Sequence, residues 1–334
     1  MKNNIETKIY GYSDFFKLFL NLDLNNNVPN KFIISGRKGI GKLTFAHHLI
    51  NYLLSKNEDS KYDKNNYEIN IKNRSFKLVR NNTHPNFYSI DTDEGKKNIG
   101  IDQIRKSFDF INRSSFNNKC RIILINNTEY LNNNSSNALL KILEEPNNNT
   151  YFILISHQLS NILPTIRSRC IKFYFKNPSK DIFHEIIKNE NIDLNNNDID
   201  FLYLLSNGSP GTAIKISTDK MNDLYNSIID ITIPNKNDLS KKIFALSEYV
   251  SNFTNDEYKV FLMLLRFILI NIIKNNLGIL SEFTTFNNES FITKLISFEI
   301  LEFIDNNEKD LFIYNLDKKI FCLNIFIPLK KSYE

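Results

Sequence analysis

The segment from Gly36 to Thr44 restricts the possible folds more than any other part of the chain. It reads Gly-Arg-Lys-Gly-Ile-Gly-Lys-Leu-Thr, follows a short apolar run and opens a helical pattern that starts near Lys42. Glycines let the backbone wrap an anion with its amides, and a helix N-terminus adds partial positive charge. Strand, glycine-rich turn and helix in this order are typical of a phosphate-binding loop, although a glycine-rich turn without a ligand is the alternative. The residues that we predict to bind phosphate are Gly36, Gly39, Gly41, Lys42 and Thr44.

The first half of the chain alternates apolar runs with helical patterns. Nearly continuous β-branched and aromatic runs are typical of strands that are covered on both faces, as in a parallel sheet. Alternation of strand and helix predicts a doubly wound α/β domain. The predicted strands are Lys31–Ser35, Phe87–Asp91, Arg121–Asn126, Tyr151–Ser156 and Ile171–Phe175. The predicted helices run from about 42 to 54, from 101 to 111 and from about 134 to 145.

The remaining segments carry weaker signals. The stretch 55–82 is polar with no clear period, and we predict an irregular, mobile insertion. After Phe175 no strand-like alternation follows. We expect short helices at 182–187 and 201–205, a break at 208–211, and a further helix that begins near Thr212. From about Met221 the apolar residues recur at helical spacing, which predicts an all-helical C-terminal domain, with 311–329 open between helix and strand.

Composition excludes several classes of protein. At 334 residues the chain has room for two or three domains, and its three cysteines are too few for a disulfide framework or a cysteine-rich zinc module. No N-terminal signal and no membrane-spanning run is visible, so we expect a cytoplasmic protein without membrane contact. The net charge of +5 permits contact with a nucleic-acid backbone but does not argue for it.

Two positions argue against ATP hydrolysis by this chain alone. Leu43 follows Lys42, where a working loop carries a Ser or Thr that binds Mg²⁺. Thr44 comes one residue late, about 100° further around the helix. Asn126 ends the third predicted strand, where an NTPase carries an acidic residue, and a neutral amide neither attracts the metal nor acts as a base. We therefore predict no bound metal and no required cofactor, and leave weak ATP or ADP binding open.

Several ordered motifs between residues 8 and 215 together resemble one family. They are 36–44, His84-Pro85-Asn86, 99–105, the Asn-Ala-Leu-Leu-Lys-Ile-Leu-Glu-Glu-Pro run of 137–146, and Leu-Pro-Thr-Ile-Arg-Ser-Arg-Cys at 163–170. These segments are similar to the AAA+ subunits of bacterial clamp loaders, and among them to the delta-prime group of DNA polymerase III.

That resemblance implies a P-loop core at 1–176, a small helical lid at 177–220 and a helical collar at 221–334 that binds other ring subunits. It implies that Ser168, Arg169 and Cys170 form a finger motif, with Arg169 acting in trans on the ATP site of a neighbour. Implied partners are the gamma/tau ATPase subunits and the delta subunit, and, through the complex, the sliding clamp and primed DNA. The enzyme class of such an assembly is DNA-directed DNA polymerase, although we expect no polymerase chemistry in this chain.

The same resemblance bears on the lid and on zinc. Thr212 stands where an active member places an arginine near its own nucleotide. Some members carry a cysteine-ligated zinc module after the first helix, but 55–82 contains no cysteine, so we expect no zinc.

Each candidate residue also has a plainer interpretation. Arg167 and Arg169 can form surface ion pairs, and Cys170 is more simply a packing residue. The remaining plain interpretations are helix residues for His47 and His48, a charged helix end or an intersubunit contact for Glu144 and Glu145, and solvated faces for Lys96, Lys97, Lys241 and Lys242. For the residue that reads a γ-phosphate we favour Ser156 over His157.

Three functions remain open at the level of sequence. The first is a non-motor clamp-loader subunit that lends Arg169 to a partner. The second is an autonomous ATPase of the gamma/tau type, which would use Lys42 with Thr44. The third is a DNA-binding protein that acts without a ring, for which a net charge of +5 is weak support.

Overall fold

The computed structural model describes residues 5–25, 28–93, 98–112, 120–144, 149–190, 196–216, 219–232, 238–278 and 294–331. Contacts divide the chain into two units, Met1–Thr212 and Ala213–Glu334. The finer division at 176 and 220 stays a prediction. None of the helices in these ranges is long and apolar enough to cross a membrane.

A five-stranded parallel sheet forms the centre of the first unit. Its strands are β1 (Lys31–Ser35), β2 (Phe87–Ile90), β3 (Arg121–Ile125), β4 (Thr150–Ser156) and β5 (Ile171–Tyr174). They are ordered β2-β3-β4-β1-β5, and every pair is parallel. The five strands lie where the sequence predicts them, within a residue at each end, and the predicted parallel α/β sheet is confirmed.

Helices precede, connect and follow these strands in the chain. They are α1 (Ser13–Leu24), α2 (Lys42–Leu54), α3 (Arg74–Arg80), α4 (Ile101–Asn112), α5 (Asn133–Glu144), α6 (Pro164–Ser168), α7 (Lys180–Asn189), α8 (Asn196–Leu205) and α9 (Pro210–Ile216). The predicted helices α2, α4 and α5 are confirmed. Helix α9 begins at Pro210 and not near Thr212, because proline is well suited to the first helical position.

Two apolar clusters cover the two faces of the sheet. Phe32 and Ile34 of β1 pack into one cluster, while Ile33 between them packs into the other. Successive side chains of a strand point to opposite faces, so a central strand that is covered on both sides needs apolar residues at every position. This is why the sequence of β1 reads as a continuous apolar run.

Strand β5 departs from that prediction because it lies at the edge of the sheet. Ile171 and Tyr174 are 51% and 58% exposed, and Phe173 is the strand's buried residue. The expectation of a strand covered on both faces is therefore wrong for β5. An edge strand lacks a neighbour on one side, and its apolar composition alone does not reveal this position.

The predicted irregular insertion at 55–82 is wrong in part. Residues 74–80 form α3, whose first turn is capped by the Asn73 side chain, which accepts a 2.8 Å hydrogen bond from the Phe76 amide. Tyr62, Ile69 and Phe76 are buried in the cluster that also contains α1 and α2. Apolar residues that are spaced irregularly in a polar stretch give no periodic signal, yet tertiary contacts order them. Helix α1 was not predicted.

The second unit is helical throughout its described residues. It contains α10 (Asp219–Thr232), α11 (Leu239–Ser251), α12 (Asn255–Asn276), α13 (Lys294–Ile313), α14 (Lys318–Ile325) and α15 (Ile327–Lys331). Thr254 and Glu257 form a capping box at the start of α12. Arg266 joins α12 to α13 through Asp305 at 2.7 Å and Glu308 at 2.6 Å. The ambiguous segment 311–329 is helical.

Two adjacent buried histidines in α2 make the stability of the chain pH-dependent. Burial lowers the pKa of His47 to about 4 and that of His48 to about 3. In the unfolded chain both titrate near 6.5, so below this pH the unfolded state binds more protons than the folded state. We expect the free energy of unfolding to fall between pH 7 and pH 5, by up to about 1.4 kcal/mol per pH unit for each histidine.

Urea unfolding at pH 7, 6 and 5 measures this dependence. The variant His47→Leu removes one of the two groups, so its stability should fall less steeply over the same range. Most carboxylates titrate below this window and interfere little. A wild-type chain with the same free energy of unfolding at pH 7 and pH 5 would contradict the prediction.

Candidate functional site

The glycine-rich loop lies at the carboxyl end of β1 and leads into α2. Gly39 and Gly41 have φ angles of 80° and 92°, a left-handed backbone that favours glycine. A Cβ on Gly39 would also lie 2.5 Å from Oγ of Ser209. The structure thus brings the predicted loop residues together at one strand end, as the sequence predicts for a phosphate loop.

Lys42 points back into this loop. Its side chain is almost fully buried, and Nζ donates hydrogen bonds to the carbonyl oxygens of Gly36 at 2.6 Å and of Arg37 at 2.5 Å. Burial lowers the pKa of Lys42 to about 8, and the negative charge of Glu129 opposes this shift. The lysine that would meet a phosphate is therefore bonded to the carbonyls of its own loop.

The residues after Lys42 offer no magnesium ligand at the expected position. The Leu43 side chain is 40% exposed and carries no oxygen. Thr44 is half-buried on the next position of α2. The structure leaves the sequence-based expectation of a defective metal site unchanged here.

A carboxylate does lie near the end of β3, but it comes from the neighbouring strand. Asp91 directly follows β2, and its two carboxylate oxygens accept hydrogen bonds from Nδ2 of Asn126 at 2.8 Å and from Nδ2 of Asn127 at 2.7 Å. Asp91 was not predicted as a site residue, although it ends the predicted strand Phe87–Asp91. An acidic residue at the end of a predicted parallel strand was the available signal, since such residues meet at the carboxyl end of the sheet.

Glu129 and His157 complete the surroundings of Lys42. The His157 amide donates to Oε1 of Glu129 at 3.0 Å. Burial and the positive charge of Lys42 lower the pKa of His157 to about 4. Oε2 of Glu129 and Nδ1 of His157 are buried, and neither has a hydrogen-bond partner in the described part of the chain. Ser156, which we favoured from the sequence as the residue that reads a γ-phosphate, accepts a 3.2 Å bond from the Gln158 amide, and the choice between Ser156 and His157 stays a prediction.

The start of α9 lies directly on the phosphate loop. The Gly211 amide donates to the Gly39 carbonyl at 2.8 Å, and Oγ of Ser209 donates to the Lys38 carbonyl at 2.8 Å. Thr212 contributes a hydroxyl that bonds to Ser209 at 2.9 Å. The loop carbonyls are thus engaged by Lys42 and by the backbone and hydroxyl groups of this turn.

These donors do not fit a magnesium-bound triphosphate. The loop lysine and amides suit a phosphate, but Leu43 supplies no oxygen and Asp91 is already bonded to two asparagines. Among the described residues, no group of three His, Cys, Asp or Glu side chains is placed to hold a metal ion. The expected lack of zinc and of a required cofactor stays a prediction.

Arg169 lies at the other end of the strands from the loop, just before the amino end of β5. It directly follows α6, and its Nη1 donates to the Thr165 carbonyl at 2.9 Å while Nη2 donates to Oε1 of Glu144 at 2.7 Å. The Arg169 side chain is 35% exposed. The hydroxyl of Ser168 donates to the same Thr165 carbonyl at 3.0 Å.

Cys170 is a packing residue in this structure. It is buried among the apolar side chains of α5 and α6, and burial raises the pKa of its thiol to about 11. A protonated thiol in an apolar cluster is a poor nucleophile. Its burial in this cluster anchors the backbone beside Arg169.

Other residues named from the sequence have plainer surroundings. His48 bonds to the Tyr62 hydroxyl at 2.9 Å, and His47 packs beside the Phe87 ring. Lys241 is exposed and lies 3.4 Å from Asp238. Glu145, Lys96 and Lys97 lie outside the described residues.

Comparison with known proteins points to one family. The family described as "DNA polymerase III, delta subunit" matches residues 12–179. The delta' subunit of DNA polymerase III from Pseudomonas aeruginosa is 31% identical over 185 residues, which is 55% of each chain. The Escherichia coli delta' subunit is 28% identical over 143 residues, 43% of this chain and 42% of that protein. The chain thus spans about half the length of these relatives.

Two further similarities are more distant. The gamma/tau subunit of Mycoplasma genitalium is 28% identical over 203 residues, 60% of this chain and 32% of that protein. Among solved structures, a DNA polymerase III gamma subunit-related protein of Thermotoga maritima is 19% identical, with 95% of this chain and 99% of that chain covered and a TM-score of 0.47. The family match covers the phosphate loop, the strand ends around it and Arg169, and the chain therefore belongs to the family described as DNA polymerase III, delta subunit.

Proposed function

We propose that this chain is a non-motor, delta-prime-type subunit of a bacterial clamp loader. In this role it lends Arg169 to the ATP site of a neighbouring gamma/tau subunit and hydrolyses no ATP itself. The observation that carries the proposal is the combination of an accessible Arg169 with a phosphate loop that lacks magnesium ligands.

The parallel sheet separates Arg169 from the loop of its own chain. Phe32 pairs with Ile171 and Ser35 with Tyr174, so Arg169 lies beyond the amino end of β5, whereas the loop follows the carboxyl end of β1. At about 3.3 Å per residue the length of β5 alone amounts to about 13 Å, which is longer than an arginine side chain. A phosphate held by the loop of this chain is therefore out of reach of Arg169.

An arginine suits this role chemically. Its guanidinium is permanently charged and offers five N–H donors in a planar fork that matches phosphate oxygens. In phosphoryl transfer such a group stabilises the charge that develops on the transferred phosphate, and arginine fingers contribute roughly 10³- to 10⁵-fold in rate. Arg169 uses two donors within this chain, and the others remain for a ligand.

The proposed partners follow from the family. The delta' relatives are named as subunits of DNA polymerase III. We place this chain in a ring with gamma/tau and delta subunits, where the second, helical unit supplies the collar. The assembled ring would load the sliding clamp on primed DNA in the cytoplasm.

An autonomous ATPase of the gamma/tau type is the second candidate. The similarity to the gamma/tau subunit of Mycoplasma genitalium, which extends over 203 residues, favours it. Asp91 could then serve as the acidic group near the loop. The exposed Leu43 and the two asparagines bonded to Asp91 count against this candidate.

The variant Arg169→Ala tests the trans role. In a reconstituted complex, Arg169→Ala should lower the clamp- and DNA-stimulated ATPase of the partner subunits at least tenfold, because the transition-state charge loses its donor. The matched control is Arg80→Ala, which removes an exposed arginine at the end of α3. Equal rates for the wild-type and Arg169→Ala complexes, with assembly intact, would exclude the trans role.

The isolated chain tests whether ATP is hydrolysed without partners. With Mg²⁺ and ATP it should show no turnover above background, because the loop lacks magnesium ligands. In the complex, Lys42→Ala should leave the stimulated ATPase within about twofold of wild type. Turnover by the isolated chain that Lys42→Ala abolishes would instead support the autonomous ATPase.

A further inference from the structure

Glu144, whose carboxylate touches Arg169, lies at an anchored helix end. Glu144 is the last residue of α5, and the preceding Leu143 is fully buried. Nζ of Lys31 donates to the Leu143 carbonyl at 2.9 Å, which joins the end of α5 to the start of β1. The backbone that carries Glu144 is therefore anchored to a central strand of the sheet.

This carboxylate and one carbonyl together define the orientation of the guanidinium. Nη2 of Arg169 bonds to Glu144 at 2.7 Å, and Nη1 bonds to the Thr165 carbonyl at 2.9 Å. Two partners from two different helices fix both the direction and the plane of the group. Of the five N–H donors, three remain for an incoming phosphate.

We infer that Glu144 is a positioning residue for Arg169, which holds the guanidinium ready for the triphosphate of a neighbouring subunit. The inference rests on the proposed trans role of Arg169. A free arginine loses side-chain rotamer entropy when it is fixed. A guanidinium that is already ordered has lost part of this freedom before the neighbour arrives, so more of the phosphate contact stabilises the transition state.

The exposure of the pair suits a positioning role. The side chains of Arg169 and Glu144 are 35% and 50% exposed. Exposed ion pairs are weak, since water screens both charges. Glu144 therefore orients the guanidinium without cancelling its attraction to a more highly charged triphosphate.

The experiment measures partner ATPase in the reconstituted complex with Glu144→Gln, which is nearly isosteric and neutral. We expect kcat to fall about twofold to fivefold, the range that an exposed ion pair supports, while KM for ATP stays within twofold. Glu144→Asp keeps the charge and should retain more of the rate than Glu144→Gln. The matched control is Asp14→Asn, which neutralises an exposed acid 3.7 Å from Lys17 in α1 and should leave kcat unchanged.

A double variant distinguishes positioning from a general structural effect. If Glu144 acts through Arg169, then Glu144→Gln should have no effect in a chain that already carries Arg169→Ala. An equal loss in both backgrounds, or a thermal midpoint of Glu144→Gln several degrees below wild type, would overturn the inference. Wild-type kcat in Glu144→Gln would also overturn it.

The two proposals fail in different ways. If Arg169→Ala leaves the partner ATPase unchanged, the proposed function is wrong and the inference falls with it. If Arg169→Ala lowers the rate but Glu144→Gln does not, the trans role stands and the positioning role of Glu144 is wrong.

Discussion

The parallel register of the sheet is the constraint on which the rest of this structure depends. All five strands run in the same direction. Their carboxyl ends therefore lie on the side of the sheet that carries the phosphate loop, and their amino ends lie on the opposite side. The loop follows β1 on the first side, and Arg169 precedes β5 on the second. One chain thus presents a phosphate loop and a guanidinium that never meet. This separation requires two molecules for a complete site if both groups serve one nucleotide.

The loop carbonyls at the carboxyl end of β1 are bonded within the chain. Lys42 bonds to two loop carbonyls, the turn at 209–211 bonds to two more, and Asp91 holds both Asn126 and Asn127. A buried polar group is costly unless it is bonded, so these contacts stabilise the loop as it stands. Glu129 and His157 retain one buried atom each without a partner in the described residues, directly beside Lys42. At this end of the sheet Asn126 follows β3, and the carboxylate bonded to it, that of Asp91, follows the neighbouring strand β2.

At the amino ends of the strands the polar groups include an accessible arginine. Arg169, Glu144 and Lys31 lie where α5 ends and β1 and β5 begin, and their bonds link helices to strands. The arginine is ordered by neighbours yet accessible to solvent. An ordered, accessible cation at the edge of a core suits a contact between subunits better than a surface ion pair whose only role is stability, because such pairs contribute little to folding.

Much of the fold could be predicted from the sequence alone. The five strands, the principal helices and the phosphate loop are encoded in local patterns, because continuous apolar runs and glycine spacing reflect short-range physics. Contacts between distant parts of the chain determined the features that local sequence patterns do not encode. Residues 55–82 became ordered through scattered core contacts, β5 became an edge strand, and Asp91 came to face the asparagines that follow β3. Glu144 accepts a hydrogen bond from Arg169, which lies 25 residues away in the sequence. Such pairings depend on which strand lies beside which, and that order is fixed by the packing of the whole sheet.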